Sequence, residues 1–149
     1  MAAYTDTLGF NKGTAAFPDG SGVSKFSVEL DFAAIVAARS AAGATALAAG
    51  DTLQVISLPA GSVVLSAGLQ VTKVESTNTT ATFDFGYTGG TADLYTNDLA
   101  SNALGYGISN LANPTVIATA DTIDLLLNTD DPTDCVVNAF AIVANVSAA

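Results

Sequence analysis

Phe26-Ser27-Val28-Glu29-Leu30-Asp31-Phe32 alternates without a break, with Phe26, Val28, Leu30 and Phe32 on one side and Ser27, Glu29 and Asp31 on the other. Successive side chains of a strand point to opposite faces, so this sustained period of two predicts a half-buried β-strand. The same signal recurs downstream. Val63, Leu65, Ala67, Leu69 and Val71 alternate with Ser66, Gly68, Gln70 and Thr72 on the other face, and Ala81, Phe83, Phe85 and Tyr87 alternate with Thr80, Thr82 and Asp84. The polar turn 75–78 between these two stretches predicts a hairpin. Gly68 in mid-strand predicts a bulge or a close backbone contact.

Working outward, Leu53, Val55, Ile56 and Leu58 form a mostly buried strand that stops at Pro59-Ala60-Gly61-Ser62, a turn signal. Residues 33–49 break the rhythm. They are alanine-rich around Ile35, Val36 and Arg39, and Asp31 lies just upstream as an N-cap, which predicts one short helix ending near Gly43. Further strands are expected at 116–118 and 122–128, followed by a turn over 129–133. Residues 88–114 are too long for a simple loop and are expected to be partly ordered.

The final run, 135–146, is apolar on both sides. Val136, Phe140, Ile142 and Val146 share one face and Val137, Ala139, Ala141 and Val143 the other. Such a strand lies either in the middle of a sandwich or between its own core and a partner subunit. Six to eight strands with one short helix predict a mainly β fold, an antiparallel β-sandwich or jelly roll over 26–149. Residues 1–25 lack periodicity and carry isolated aromatics at Tyr4, Phe10 and Phe17. They read as an extended N-terminal arm, either an unstructured leader or a segment whose aromatics anchor in a neighbouring subunit.

Composition narrows the function. Half of the 149 residues are hydrophobic and 12% are charged, which suits one domain with a sizeable core. A formal net charge of -10 would repel a phosphate backbone or an anionic membrane, so no direct nucleic-acid or membrane partner is expected. The amino terminus has no basic region followed by an apolar stretch, and no apolar run reaches the roughly 18 residues of a membrane span. This implies a chain made and used in soluble form. Cys135 is the one cysteine and there is no histidine, which excludes an internal disulfide and a cysteine–histidine zinc site. At the head of an apolar run, Cys135 reads as a small core residue.

Without histidine, the usual nucleophile–base pairings cannot be assembled. Glu29 and Asp31, two apart on one strand face, have the separation of a glycosidase pair, but the alternation that aligns them also turns them to solvent. Asn128, Asp130, Asp131 and Asp134 offer oxygen ligands for calcium, yet their spacing departs from the EF-hand loop and the same residues commonly build turns. Residues 86–90 are glycine-rich but lack the lysine of a P-loop. Asn78-Thr79-Thr80 and Asn145-Val146-Ser147 match the glycosylation sequon and, with no signal peptide, read as chance. No metal, cofactor or enzymatic activity is therefore expected.

Leu30-Asp31-Phe32-Ala33-Ala34-Ile35, Gly50-Asp51-Thr52-Leu53-Gln54-Val55, Leu58-Pro59-Ala60-Gly61-Ser62-Val63-Val64 and Thr82-Phe83-Asp84-Phe85-Gly86-Tyr87-Thr88-Gly89-Gly90 together resemble small structural proteins of tailed bacteriophages. The resemblance covers roughly residues 28–90 and the final strand and includes no diagnostic catalytic motif. It implies a virion component made in the host cytoplasm: a decoration or cement protein on the outside of the head, a homotrimer whose partner is the major capsid protein. In that setting the arm would be a tether. Tyr4, Phe10 and Phe17 on the arm, with Val137, Ala139, Ala141 and Val143 on the final strand, are the candidate subunit or capsid interface residues. A tail, neck or fibre-attachment protein would have similar composition. A carbohydrate-binding sandwich using Tyr87, Tyr95 and Tyr106 as aromatic platforms is the alternative from another class.

Overall fold

The computed structural model describes residues 2–14, 22–87, 90–110 and 116–146. The alternating segment becomes β3 (Gly22–Asp31), which buries Val28 and Leu30, and the chain passes straight into α1 (Phe32–Ala41). Asp31 makes that switch. Its Oδ1 accepts the N–H groups of Ala33 and Ala34 at 3.1 and 3.3 Å, the N-cap that the sequence predicts. Phe32, Ile35 and Arg39, spaced three and four apart, turn one face of α1 inward. The helix ends at Ala42, where Gly43 takes φ 64° and lets Ala44 N–H reach the Arg39 carbonyl at 2.9 Å.

Then follow β4 (Thr52–Leu58), β5 (Ser62–Lys73), β6 (Thr82–Gly86), β7 (Thr96–Ala100), β8 (Gly105–Asn110), β9 (Asp121–Asn128) and β10 (Val136–Asn145). Two short strands precede them, β1 (Ala3–Tyr4) and β2 (Gly13–Thr14). One sheet has the order β3-β10-β5-β8, antiparallel throughout. The other runs β4-β9-β6-β7, with β1 and β2 added in parallel along the outer edge of β4. From β3 onward each strand changes sheet at every step except β6 to β7, which is the connectivity of a jelly roll. Between the sheets lie Leu53, Val55, Leu69, Phe85, Leu125, Val137 and their neighbours, with Phe32 stacked on Phe83 at 5.5 Å.

The expected mainly β fold with one short helix is the observed one. The expected hairpin between 63–71 and 79–87 is not. β5 lies between β10 and β8 while β6 pairs with β9 and β7 in the opposite sheet, so the 75–78 connection crosses from one layer to the other. Alternation reveals a strand and its buried face; it does not reveal which neighbour the strand chooses. Residues 116–118 form no strand, although Ile117 exchanges backbone hydrogen bonds with Gly61 and Ser62 at 2.7 and 2.8 Å. The long segment 88–114 contains β7 and β8. Gly68 meets the close approach expected of it: a Cβ there would lie 2.2 Å from the Gly107 carbonyl oxygen on β8.

Within the expected arm, residues 2–14 lie along β4 and α1. Ala2 N–H donates to Asp51 Oδ1 at 2.8 Å, and Thr52 N–H donates to the Ala2 carbonyl at 2.7 Å. Arg39 then fastens the strap from below. Its guanidinium is bidentate on Asp6 at 2.9 and 3.0 Å, donates to the Thr45 carbonyl and lies 3.9 Å from the centre of the Tyr4 ring. Gly9, at φ 84°, passes so close to α1 that a Cβ would sit 2.5 Å from the Ile35 Cα.

Candidate interaction surface

The strand that carries four of the candidate interface residues is central in its sheet. Val137, Ala139, Ala141 and Val143 are all fully buried and face β4, β6 and β9 across the core. Only this face of the strand is sealed inside the sandwich, so the strand is not buried on both sides, and a partner cannot touch these four side chains while the fold is intact. Phe10 is likewise in the core, and Tyr4 packs against it under Arg39. Phe17 lies outside the described residues.

The opposite face of the same sheet is where apolar side chains meet solvent. Register fixes its rows: Ser27, Phe140, Gly68 and Ile108 lie side by side, flanked by Lys25, Ile142 and Ser66 on one side and by Glu29, Asn138, Gln70 and Tyr106 on the other. Ile108 is 49% exposed, Tyr106 71% and Val23, at the start of β3, 62%. Phe140 and Ile142 are half-buried, and the Phe140 ring stands beside Gly68, which offers it no competing side chain. Charges on the face balance. Lys25 and Lys73 stand against Glu29 and Asp31, whereas the whole chain carries -10.

Glu75 was not singled out in the sequence, and it organises the end of the barrel where two connections meet. Buried to 2% exposure, its carboxylate accepts N–H groups of Thr77, Asn78, Thr133, Asp134 and Cys135 and the Thr133 hydroxyl, at 2.6 to 3.3 Å. Burial alone would raise its pKa, but the hydrogen bonds from Asp134 and Thr133 outweigh that and hold the carboxyl well below the usual range. Its charge and the burial of the site push the Cys135 thiol far up, burial being the larger cause. A glutamate at a strand end looks the same in sequence whether it is solvated or clamped.

In the acidic 128–134 turn the carboxylates and carbonyls are engaged by protein partners. Asp134 accepts from Ser76, Asp130 accepts from Thr80, and the Asp131 carbonyl takes the Asn78 side-chain amide. Among the described residues no three acidic or thiol groups converge as a metal site would need. Glu29 is exposed on the sheet face, while Asp31 is committed to capping α1. A cleft of about 430 Å³ between α1 and the 131–133 turn is lined by Val36, Leu47 and Pro132, and its one cation, Arg39, is already bound to Asp6. The tyrosines do not form a platform either. Tyr95 is in the core and packs edge-on against Phe85 and Tyr87, donating its hydroxyl to that of Tyr87 at 2.5 Å, whereas Tyr106 stands on β8 in the other sheet. No helix among the described residues is long and apolar enough to cross a membrane.

No known protein-family model matches the sequence, and no curated protein does. Solved structures share the fold. A chain of the capsid of Ralstonia phage GP4 superposes with a TM-score of 0.58 and 15% identity over 99% of both chains. A chain of the cyanophage Pam1 capsid asymmetric unit gives 0.57 and 15% over 95% of this chain and 98% of that one. A chain of the acid-stable capsid of Helicobacter pylori bacteriophage KHP30 gives 0.54 and 12% over 83% and 86%. At these identities the likeness establishes a common fold.

Proposed function

We propose that the chain is a non-enzymatic structural protein of a phage virion, a decoration or cement protein that binds the outer surface of the head and stabilises the shell. The observation that carries this reading is end-to-end correspondence: this jelly roll matches chains of phage capsids over nearly the whole length of both partners. The molecule's chemistry fits such a role. The outer face of the β3-β10-β5-β8 sheet carries exposed Val23, Tyr106 and Ile108 beside half-buried Phe140 and Ile142, and that face is close to charge-neutral on an otherwise acidic molecule. Surfaces with apolar centres and polar rims are those that proteins use to bind one another. Laid against a shell, this face would bury Ile108, Phe140 and Ile142 and leave the acidic remainder in solvent. Many copies bridging neighbouring capsomers would resist the outward strain of packed DNA by adding interface area alone.

Particles of the encoding phage, imaged by cryo-electron microscopy with and without the gene, test the reading. The expected result is a copy of this jelly roll on the outer head surface with Ile108 and Phe140 toward the shell, and heads without it that assemble but release DNA at lower temperature. Density at the neck, tail or fibre base would overturn the decoration role in favour of another virion position. Absence from particles would overturn both.

A further inference from the structure

We propose that two copies of this chain associate through antiparallel pairing of β3 with β3, about a two-fold axis at Ser27. β3 is the end strand of its sheet, with β10 on one side and no described strand on the other. The direction of its free backbone groups follows from the ladder. Phe32 N–H donates to the Cys135 carbonyl, one step beyond the Asp31–Val136 pair, so the even-numbered residues of β3 address β10. In an antiparallel ladder alternate residues point opposite ways, which leaves Lys25, Ser27 and Glu29 with N–H and C=O directed outward. An edge left without a neighbour among the described residues is a template for another strand.

Side chains select the strand. Lys25 and Glu29 are both exposed on the outer sheet face and stand two residues either side of Ser27. A second copy turned about Ser27 therefore sets Lys25 opposite Glu29 of the other chain, and does so twice. Opposite charges across a ladder attract, and like charges repel. A two-fold interface requires this self-complementarity, residue i meeting j and j meeting i. A copy paired in parallel, in register, would place Lys25 beside Lys25 and Glu29 beside Glu29. The antiparallel arrangement joins two four-stranded sheets into one of about eight strands and merges their apolar outer faces. This is a two-fold contact, not the three-fold one that the resemblance implied, and it stands on β3 whether or not the partner surface is a capsid.

Light scattering of the full chain across a concentration series, combined with hydrogen exchange, tests it. The expected mass is twice the 14.8 kDa of one chain. The Lys25, Ser27 and Glu29 amides should be protected at concentrations where the dimer forms and exchange freely on dilution. Lys25→Glu and Glu29→Lys should each weaken association by roughly tenfold or more, because both cross-strand pairs become repulsive. The double variant restores the pairs with signs exchanged and should dimerise with itself but not with the unaltered chain. A monomer at every concentration, a trimer, a dimer whose three amides stay unprotected, or a double variant no better than either single one would each overturn the proposal.

Discussion

Glu75 shows how much one ionised side chain can hold together. It gathers five backbone N–H groups from two separate connections, and the one from Cys135 lies in the buried interior, where a donor needs a protein acceptor. Glu75→Gln keeps the shape but points an amide at those donors, and should cost about 2–4 kcal/mol near neutral pH. The sign of the pH dependence follows from the depressed pKa. A carboxylate whose folded pKa lies below its unfolded value, about 4.3, gives full stabilisation above that value and loses it as pH falls through the folded one. The gap between the two proteins in denaturant unfolding should therefore narrow below about pH 4; an unchanged gap would mean that the glutamate is not clamped as an anion. Asp84 opposes this trend. Burial raises its pKa more than the Asp98 N–H bond lowers it, with the Asp98 and Asp93 charges adding to the rise, so its contribution is lost as pH rises through the elevated value. Gly68→Ala acts by a different route. Its new Cβ would meet a β8 carbonyl oxygen, so β8 must shift, at a cost of about 1–3 kcal/mol in the same unfolding measurement.

Elements in this chain are held by their neighbours more than by their own sequence, and the N-terminal strap is the clearest case. Each strand of the strap is two residues long. Nothing in such short pieces would keep them extended without β4, Asp51 and Arg39. Arg39→Ala should therefore free residues 2–14 before it affects the barrel. Limited proteolysis should then cut within the strap while thiol reagents still fail to reach Cys135, which stays buried with its pKa raised until the barrel opens. Simultaneous strap cleavage and Cys135 labelling would mean that strap and barrel unfold as one unit. The same distinction explains what was legible in the sequence. Strands with one buried face, such as β3 and β5, announce themselves by period two, and the Asp31 cap marked the start of α1. The strap, the layer change after Lys73 and the Glu75 clamp depend on contacts between residues far apart in the chain, which leave no local pattern. For β10, both faces read as apolar, and only the registers with β3 and β5 decide which one is sealed.

At the scale of the whole molecule, one strand carries opposite consequences on its two sides. Ala141 faces the core and Phe140 the open sheet surface, so Ala141→Glu should abolish folding, by placing an unpaired charge in a sealed interior. Ile108→Glu, on the open side, should leave the unfolding midpoint within about 0.5 kcal/mol of the original. On the proposed reading it should still weaken binding to decoration-free heads by about tenfold, because a charge would enter the apolar centre of the contact. Salt dependence separates this face from the rest of the surface. A contact made by the charge-balanced sheet should change little between low and physiological ionic strength, whereas one made by the acidic remainder would depend steeply on screening at a Debye length of about 8 Å. Sedimentation of protein with heads across a salt series reads this directly. Binding that weakens steeply with added salt would show that the acidic faces touch the shell, and that the sheet face points away from it.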